Sequence, residues 1–134
     1  MSKSETKKTV LIIDDSPAIL RVFSRILRKK GFLVTTAATG REAWEKLKTK
    51  SYDAALIDVR LPEMNGTDLL PRMGKLAPKM VKIVFTGFPL EEKSIEAIKT
   101  NADALISKPA KPETILSILE EKMKTKKIAT NNKA

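Results

Sequence analysis

Five short apolar runs recur along the chain, at Val10–Ile13, Phe32–Ala37, Ala54–Val59, Val81–Phe85 and Ala102–Ile106. The continuous β-branched run Val10–Ile13 has the character of a strand buried on both faces of a parallel sheet. Between the runs lie stretches with apolar residues at helical spacing. Ile19, Val22, Phe23, Ile26 and Leu27 mark the first, and Ala43, Trp44 and Leu47 the second. A third helix is expected over Thr67–Leu76, short, kinked or late to start because it contains Pro71 and Gly74. A fourth carries Ile95 and Ile98 within Leu90–Lys99, and a fifth runs from Pro112 to about Lys124. Strand and helix alternating five times predict a single α/β domain, a doubly wound (βα)5 fold with right-handed crossovers.

Local punctuation agrees with this frame. Ser16 is placed to cap the first helix, with Pro17 at the first helical position, where a missing N–H costs nothing. Gly31 is placed to close the same helix. Residues 1–7 read as a polar N-terminal extension, 8–124 as the domain, and 125–134 as a basic tail expected to be flexible.

The composition narrows the chemistry. With no cysteine and no histidine, disulfides, thiolate chemistry, the commonest metal ligand and the usual general base are excluded. Carboxylates, hydroxyls and lysines remain. The net charge is +10, with many lysines near the two ends, and it suggests acidic partners or solubility. One Trp, one Tyr and four Phe are too few for a stacking surface, so a direct nucleic-acid interface is not expected. No apolar run approaches the length of a membrane-spanning helix, and the first ten residues lack a signal-peptide core. A cytoplasmic address without membrane attachment is the expectation.

Sites in open α/β sheets form at the carboxyl ends of the strands, beside the point where strand order reverses. Four such ends carry polar residues: Asp14 and Asp15 after the first strand, Asp58 near the end of the third, Thr86 at the end of the fourth, and Lys108 after the fifth. Each alone has a bland explanation as a cap, turn or loop residue; four at successive strand ends do not. In the order 2-1-3-4-5, strands one and three flank the switch point, and three carboxylates converge. They repel one another unless a cation offsets them. An all-oxygen set on short loops favours Mg²⁺ over Ca²⁺, since no stretch resembles a calcium-binding loop. Strand five lies two strands from strand three, roughly 9–10 Å at about 4.8 Å per step, a gap that a lysine stem nearly spans. Metal, lysine and hydroxyl together neutralise a phosphoryl group, and a carboxylate at their centre can be its acceptor.

The motifs LIIDDSP, LIDVRLPEMNG, FTG and SKP resemble those of the response regulator receiver domain of two-component signalling, over about residues 8–124. Asp58, Leu61, Pro62, Met64 and Gly66 follow that family's third-strand pattern. The resemblance implies the 2-1-3-4-5, flavodoxin-like sheet. It also implies that Asp58 takes a phosphoryl group from a histidine kinase or histidine phosphotransfer protein, with Mg²⁺ as cofactor. Asp15 would ligate the ion directly, Asp14 mainly through water, and Arg60 through its backbone carbonyl. Lys108 would hold the phosphate, with Thr86 and its neighbour Gly87 forming the phosphoryl-binding switch.

There are departures. Leu105 stands where the family usually has a switching aromatic, and Ala110 where an aromatic is common after Lys-Pro. Arg60 and Phe88 occupy positions that tune water access in the family, although both could simply point to solvent.

Three other readings have specific sequence requirements. A haloacid-dehalogenase-like phosphatase needs Asp-X-Asp after the first strand, which DDSP does not supply. A flavodoxin-like cofactor site would not set two aspartates against the FMN phosphate. A DNA-binding module would need a recognition helix, and none is evident. The expected protein is therefore a phosphoacceptor rather than an enzyme, a monomer or weak dimer, either stand-alone or joined to an output region. Its kinase and downstream target are not named by the sequence.

Overall fold

The computed structural model describes residues 7–61, 64, 66–87 and 89–133. Strands β1 (Thr9–Ile13), β2 (Leu33–Ala37), β3 (Ala54–Ile57), β4 (Val81–Thr86) and β5 (Ala104–Ser107) alternate with helices α1 (Pro17–Lys29), α2 (Gly40–Thr49), α3 (Gly66–Leu76), α4 (Glu92–Asn101) and α5 (Pro112–Lys133). All pairings are parallel, and the order is β2-β1-β3-β4-β5. The α/β class, the five-stranded doubly wound sheet and its order are as the sequence predicts.

Side chains alternate across the strands and feed two cores. Val10, Ile12, Leu56, Ile83 and Phe85 pack with Phe23 and Leu27 of α1 and Ile115 and Leu119 of α5. Leu11, Ile13, Ala55, Ile57 and Val84 pack with Ala43 and Leu47 of α2, Leu69, Leu70 and Met73 of α3, and Ile98 of α4. The sheet is thus covered on both faces, which leaves its carboxyl and amino ends as places for polar groups.

α1 begins as expected: the Ser16 hydroxyl accepts the Ile19 N–H and Pro17 opens the helix. It ends with Gly31 at φ 99°, while Gly31 N–H and Phe32 N–H donate to the Arg28 and Leu27 carbonyls, a left-handed helix stop that glycine tolerates best. Edge strand β2 is guarded by charge, since Arg28 and Lys46 donate to the carbonyls of Val34 and Thr36. No helix among the described residues is long and apolar enough to cross a membrane.

Two helix expectations need correction. α3 is neither short nor late: it runs eleven residues through Pro71. Proline removes one backbone donor, and the complete burial of Leu69, Leu70 and Met73 holds the helix across that defect. α5 does not stop near Lys124 but continues to Lys133. Nothing between Glu113 and Lys133 is Gly or Pro, and Lys126 ties the helix to the sheet through Asp103. Strand limits also shift: β3 ends at Ile57, leaving Val59 beyond it, and β5 starts at Ala104 because Asp103 is engaged with the Lys82 backbone.

Candidate functional site

Backbone pairing continues one residue past three strands and fixes the site's roots. Asp14 N–H donates to the Ala37 carbonyl, Asp58 N–H to Ile13, and Lys108 N–H to Thr86. The sheet itself therefore places three ionic side chains at its carboxyl edge. Asp14 is 1% exposed and Asp58 5%, while the neighbouring Asp15 faces solvent.

Asp58 is held through both oxygens. Its Oδ1 accepts the Thr86 hydroxyl at 2.7 Å and the Arg60 N–H at 2.9 Å, and its Oδ2 accepts Lys108 Nζ at 3.0 Å. Lys108 Nζ also donates to Asp14 Oδ2 at 2.8 Å, while Asp14 Oδ1 accepts the Ser16 N–H. One ammonium thus bridges the two buried carboxylates. The spacing argument anticipated the reach to Asp58 but not the shorter bond to Asp14.

Burial pushes the Asp14 carboxyl above its ordinary range, and the Asp58 charge adds to this; the Lys108 hydrogen bond, the Ser16 N–H and the Lys108 charge oppose it. For Lys108, burial disfavours the ammonium, but hydrogen bonds and charge from Asp14 and Asp58 together hold it above the ordinary lysine value. It therefore stays charged at neutral pH. Its Nζ also lies 5.3 Å from the centre of the Phe85 ring, a further cation-stabilising contact.

One carboxylate oxygen from each of Asp14, Asp15 and Asp58 lies within 4.8 Å of the others. This all-oxygen set fits a hard divalent cation. Asp15 fits an ion-facing role, making no hydrogen bond or ion pair among the described residues, whereas both Asp14 oxygens are already engaged. Beside the cluster, Asp15, Arg60, Pro89, Leu90, Glu91 and Ser94 help to line a cleft of about 570 Å³. The Arg60 guanidinium crosses this cleft to the Pro89 carbonyl, linking the loops after β3 and β4.

The profile of the response regulator receiver domain matches residues 10–120. The chain belongs to that family. This receiver is 36% identical over 115 residues to the chemotaxis protein CheY of Thermotoga maritima, covering 85% of this chain and 96% of that one. It is 38% identical to a CheY-like receiver structure from Methanospirillum hungatei, with a TM-score of 0.88, covering 92% of this chain and 99% of that one. The alginate biosynthesis transcriptional regulatory protein AlgB of Pseudomonas aeruginosa is 32% identical over 112 residues, 84% of this receiver but only 25% of AlgB. The receiver thus spans the length of some relatives and a quarter of others.

The remaining expected positions fall around the cluster. Gly87 follows Thr86, with open space where a Cβ would stand. Leu105 lies opposite Val84 in the sheet register and is 42% exposed. Ala110 packs against the core on the α1/α5 side. Phe88 and Pro62 lie outside the described residues. Sequence reasoning missed a second ionic cluster, Lys82 with Asp103 and Lys126, at the opposite end of the sheet. Its signal was Lys82 interrupting the otherwise apolar run Val81–Phe85.

Proposed function

We propose that Asp58 accepts a phosphoryl group from a phosphohistidine on a partner histidine kinase or phosphotransfer protein, and that this switches the receiver's protein contacts. The observation that supports this most is the Asp58 carboxylate, gripped at once by Thr86, Lys108 and the Arg60 amide. An Asp58 oxygen attacks phosphorus as the phosphorus–nitrogen bond of the donor breaks. The electron pair leaves with the donor imidazole, which takes up a proton from solvent. Lys108 and Thr86 then exchange a carboxylate oxygen for phosphoryl oxygens, and this exchange of partners is the switch. Mg²⁺ held by Asp14, Asp15, Asp58 and the Arg60 carbonyl would offset the repulsion between these carboxylates and the incoming phosphoryl oxygens.

In this reading the receiver assists its own phosphorylation and dephosphorylation and is not a turnover enzyme. It acts in the cytoplasm as a monomer or weak dimer, alone or joined to an output region. With Leu105 at the usual aromatic position, the signal does not pass by rotation of a ring there. Incubation with acetyl phosphate and Mg²⁺, read by intact mass, should add one phosphoryl group. Absence of the adduct, or its formation without Mg²⁺ at the same rate, contradicts the reading. The arginine bridge shields the acyl phosphate from water, so the double substitution Arg60→Asn, Phe88→Glu should release phosphate several-fold faster than the parent. Equal or slower release removes that role.

A further inference from the structure

Helix α1 carries Arg21, Arg25, Arg28 and Lys29 and no acidic residue. Arg25 stands four residues from Arg21, three from Arg28 and four from Lys29, so like charges stack along the helix. That arrangement costs a helix stability. α2 is built the other way, with Glu42 paired to Lys46 and Glu45 to Lys48. The helix dipole accounts for Arg28 and Lys29 in the last turn, and Arg28 also donates to the Val34 carbonyl at 3.2 Å. It does not account for Arg21 and Arg25, which lie in the middle of the helix. Both are exposed, and among the described residues neither has a hydrogen bond or an ion pair.

The three arginines line a groove of about 620 Å³ between α1 and the edge strand β2, together with Leu20, Ser24 and Thr36. No carboxylate is among the described residues that line it. Ser24 is 5% exposed, and its Oγ is the one buried side-chain polar atom among the described residues without a hydrogen-bond partner. A serine within a helix can return its hydroxyl to the carbonyl four residues back, and Ser24 does not. A buried hydroxyl without an acceptor is costly, so this face of α1 lacks both counter-charge and an acceptor.

We propose that the groove docks an extended acidic segment of a partner protein, with carboxylates on Arg21, Arg25 and Arg28 and an oxygen accepting the Ser24 hydroxyl. The arginines are spread over seven residues, roughly 10 Å of helix, which is too long for one phosphate group. Arg21 and Arg25 stand roughly 6 Å apart along the axis, close to the roughly 6.6–6.8 Å between alternate side chains of an extended chain. Guanidinium groups meet carboxylates with two parallel hydrogen bonds, a geometry that lysine lacks. No aromatic ring is among the described lining residues, which disfavours a nucleic-acid strand needing a surface to stack on. The net charge of +10 steers an acidic segment towards the domain. Ile19, Val22 and Ile26 lie outside the groove, so the segment sits on the β2 side of α1 and leaves those residues uncovered.

The test is fluorescence anisotropy of the full chain with a labelled decapeptide of alternating Asp and Thr, and an Asn-Thr decapeptide as control. The acidic peptide should bind, the control should not, and affinity should fall as salt is raised from about 50 to about 300 mM. Arg21→Glu and Arg25→Glu should each weaken binding about tenfold. Lys99→Glu makes the same change of net charge on α4 and should alter affinity by less than about twofold. Ser24→Ala should weaken binding about threefold, although it removes no hydrogen bond from the free protein. No binding, or a loss in Lys99→Glu as large as in Arg25→Glu, reduces the effect to net charge and overturns the proposal. Unchanged affinity in Ser24→Ala puts the peptide outside the groove and also overturns it. A thymidine decamer that binds more tightly than the acidic peptide, and loses affinity in Arg25→Glu, assigns the groove to nucleic acid and overturns the choice of partner.

Discussion

The two ends of the sheet carry opposite charge problems. At the carboxyl end, three carboxylates cluster, and the Lys108 ammonium bonds two of them. At the amino end, the described residues that line a cavity include Lys75, Lys82, Lys126 and Asp103. The difference lies in how each end is held. Lys108 bonds directly to both buried carboxylates, whereas among the described residues the Lys82 ammonium bonds to a backbone carbonyl alone. Charge is a structural bond at the first end and a liability at the second.

The largest expected effect is at the carboxyl end. Lys108→Met leaves Asp14 and Asp58 buried without their shared cation and should destabilise the receiver by roughly 3 kcal/mol in urea unfolding. Added Mg²⁺ should recover more stability in the variant than it adds to the parent. A variant as stable as the parent would show that Lys108 is not the element balancing this end.

Next comes the reverse effect. Lys82→Met removes a desolvated ammonium and should stabilise the unliganded receiver by roughly 1–3 kcal/mol at about pH 7. The same asymmetry sets a pH dependence. Lys82 binds its proton more weakly folded than unfolded, so the unfolded chain holds more protons between about 8 and 10.5. Parent stability should therefore rise through that window, and the rise should be missing in Lys82→Met. Lys108 is shifted upward, so its contribution persists through the window and is lost only above it. A flat parent profile would mean that Lys82 is not desolvated as described.

The smallest effect separates grip from charge. Thr86→Val keeps the shape of a fully buried side chain but removes the hydroxyl on Asp58, and should cost about 1 kcal/mol by the same unfolding measurement. No loss would mean that the carboxylate is held by Lys108 and the Arg60 amide alone.

The carboxyl end was legible because each polar residue there terminates an apolar run. Asp14, Asp58, Thr86 and Lys108 stand out against Val10–Ile13, Ala54–Ile57, Val81–Phe85 and Ala104–Ile106. Which of the two adjacent aspartates turns inward was not legible by that route. It depends on Asp14 N–H continuing the pairing with β2 while its side chain meets Lys108. The amino end escaped notice for a different reason. Lys82 breaks the apolar run of its strand, but Asp103 and Lys126 each resemble an ordinary solvent-facing residue, and only the packing of α5 along the sheet joins the three. The same contact explains the helix limit: a Lys-, Thr- and Asn-rich stretch looked like a tail, yet Lys126 anchors it and no breaker follows.

The central claim is that Asp58, and neither Asp14 nor Asp15, is the phosphoacceptor. Borohydride reduction of the phosphorylated receiver converts an aspartyl phosphate to homoserine, and peptide mapping then reads its position. The account predicts homoserine at position 58 alone, and none in Asp58→Asn. Homoserine at position 14 or 15, or undiminished labelling in Asp58→Asn, would contradict it.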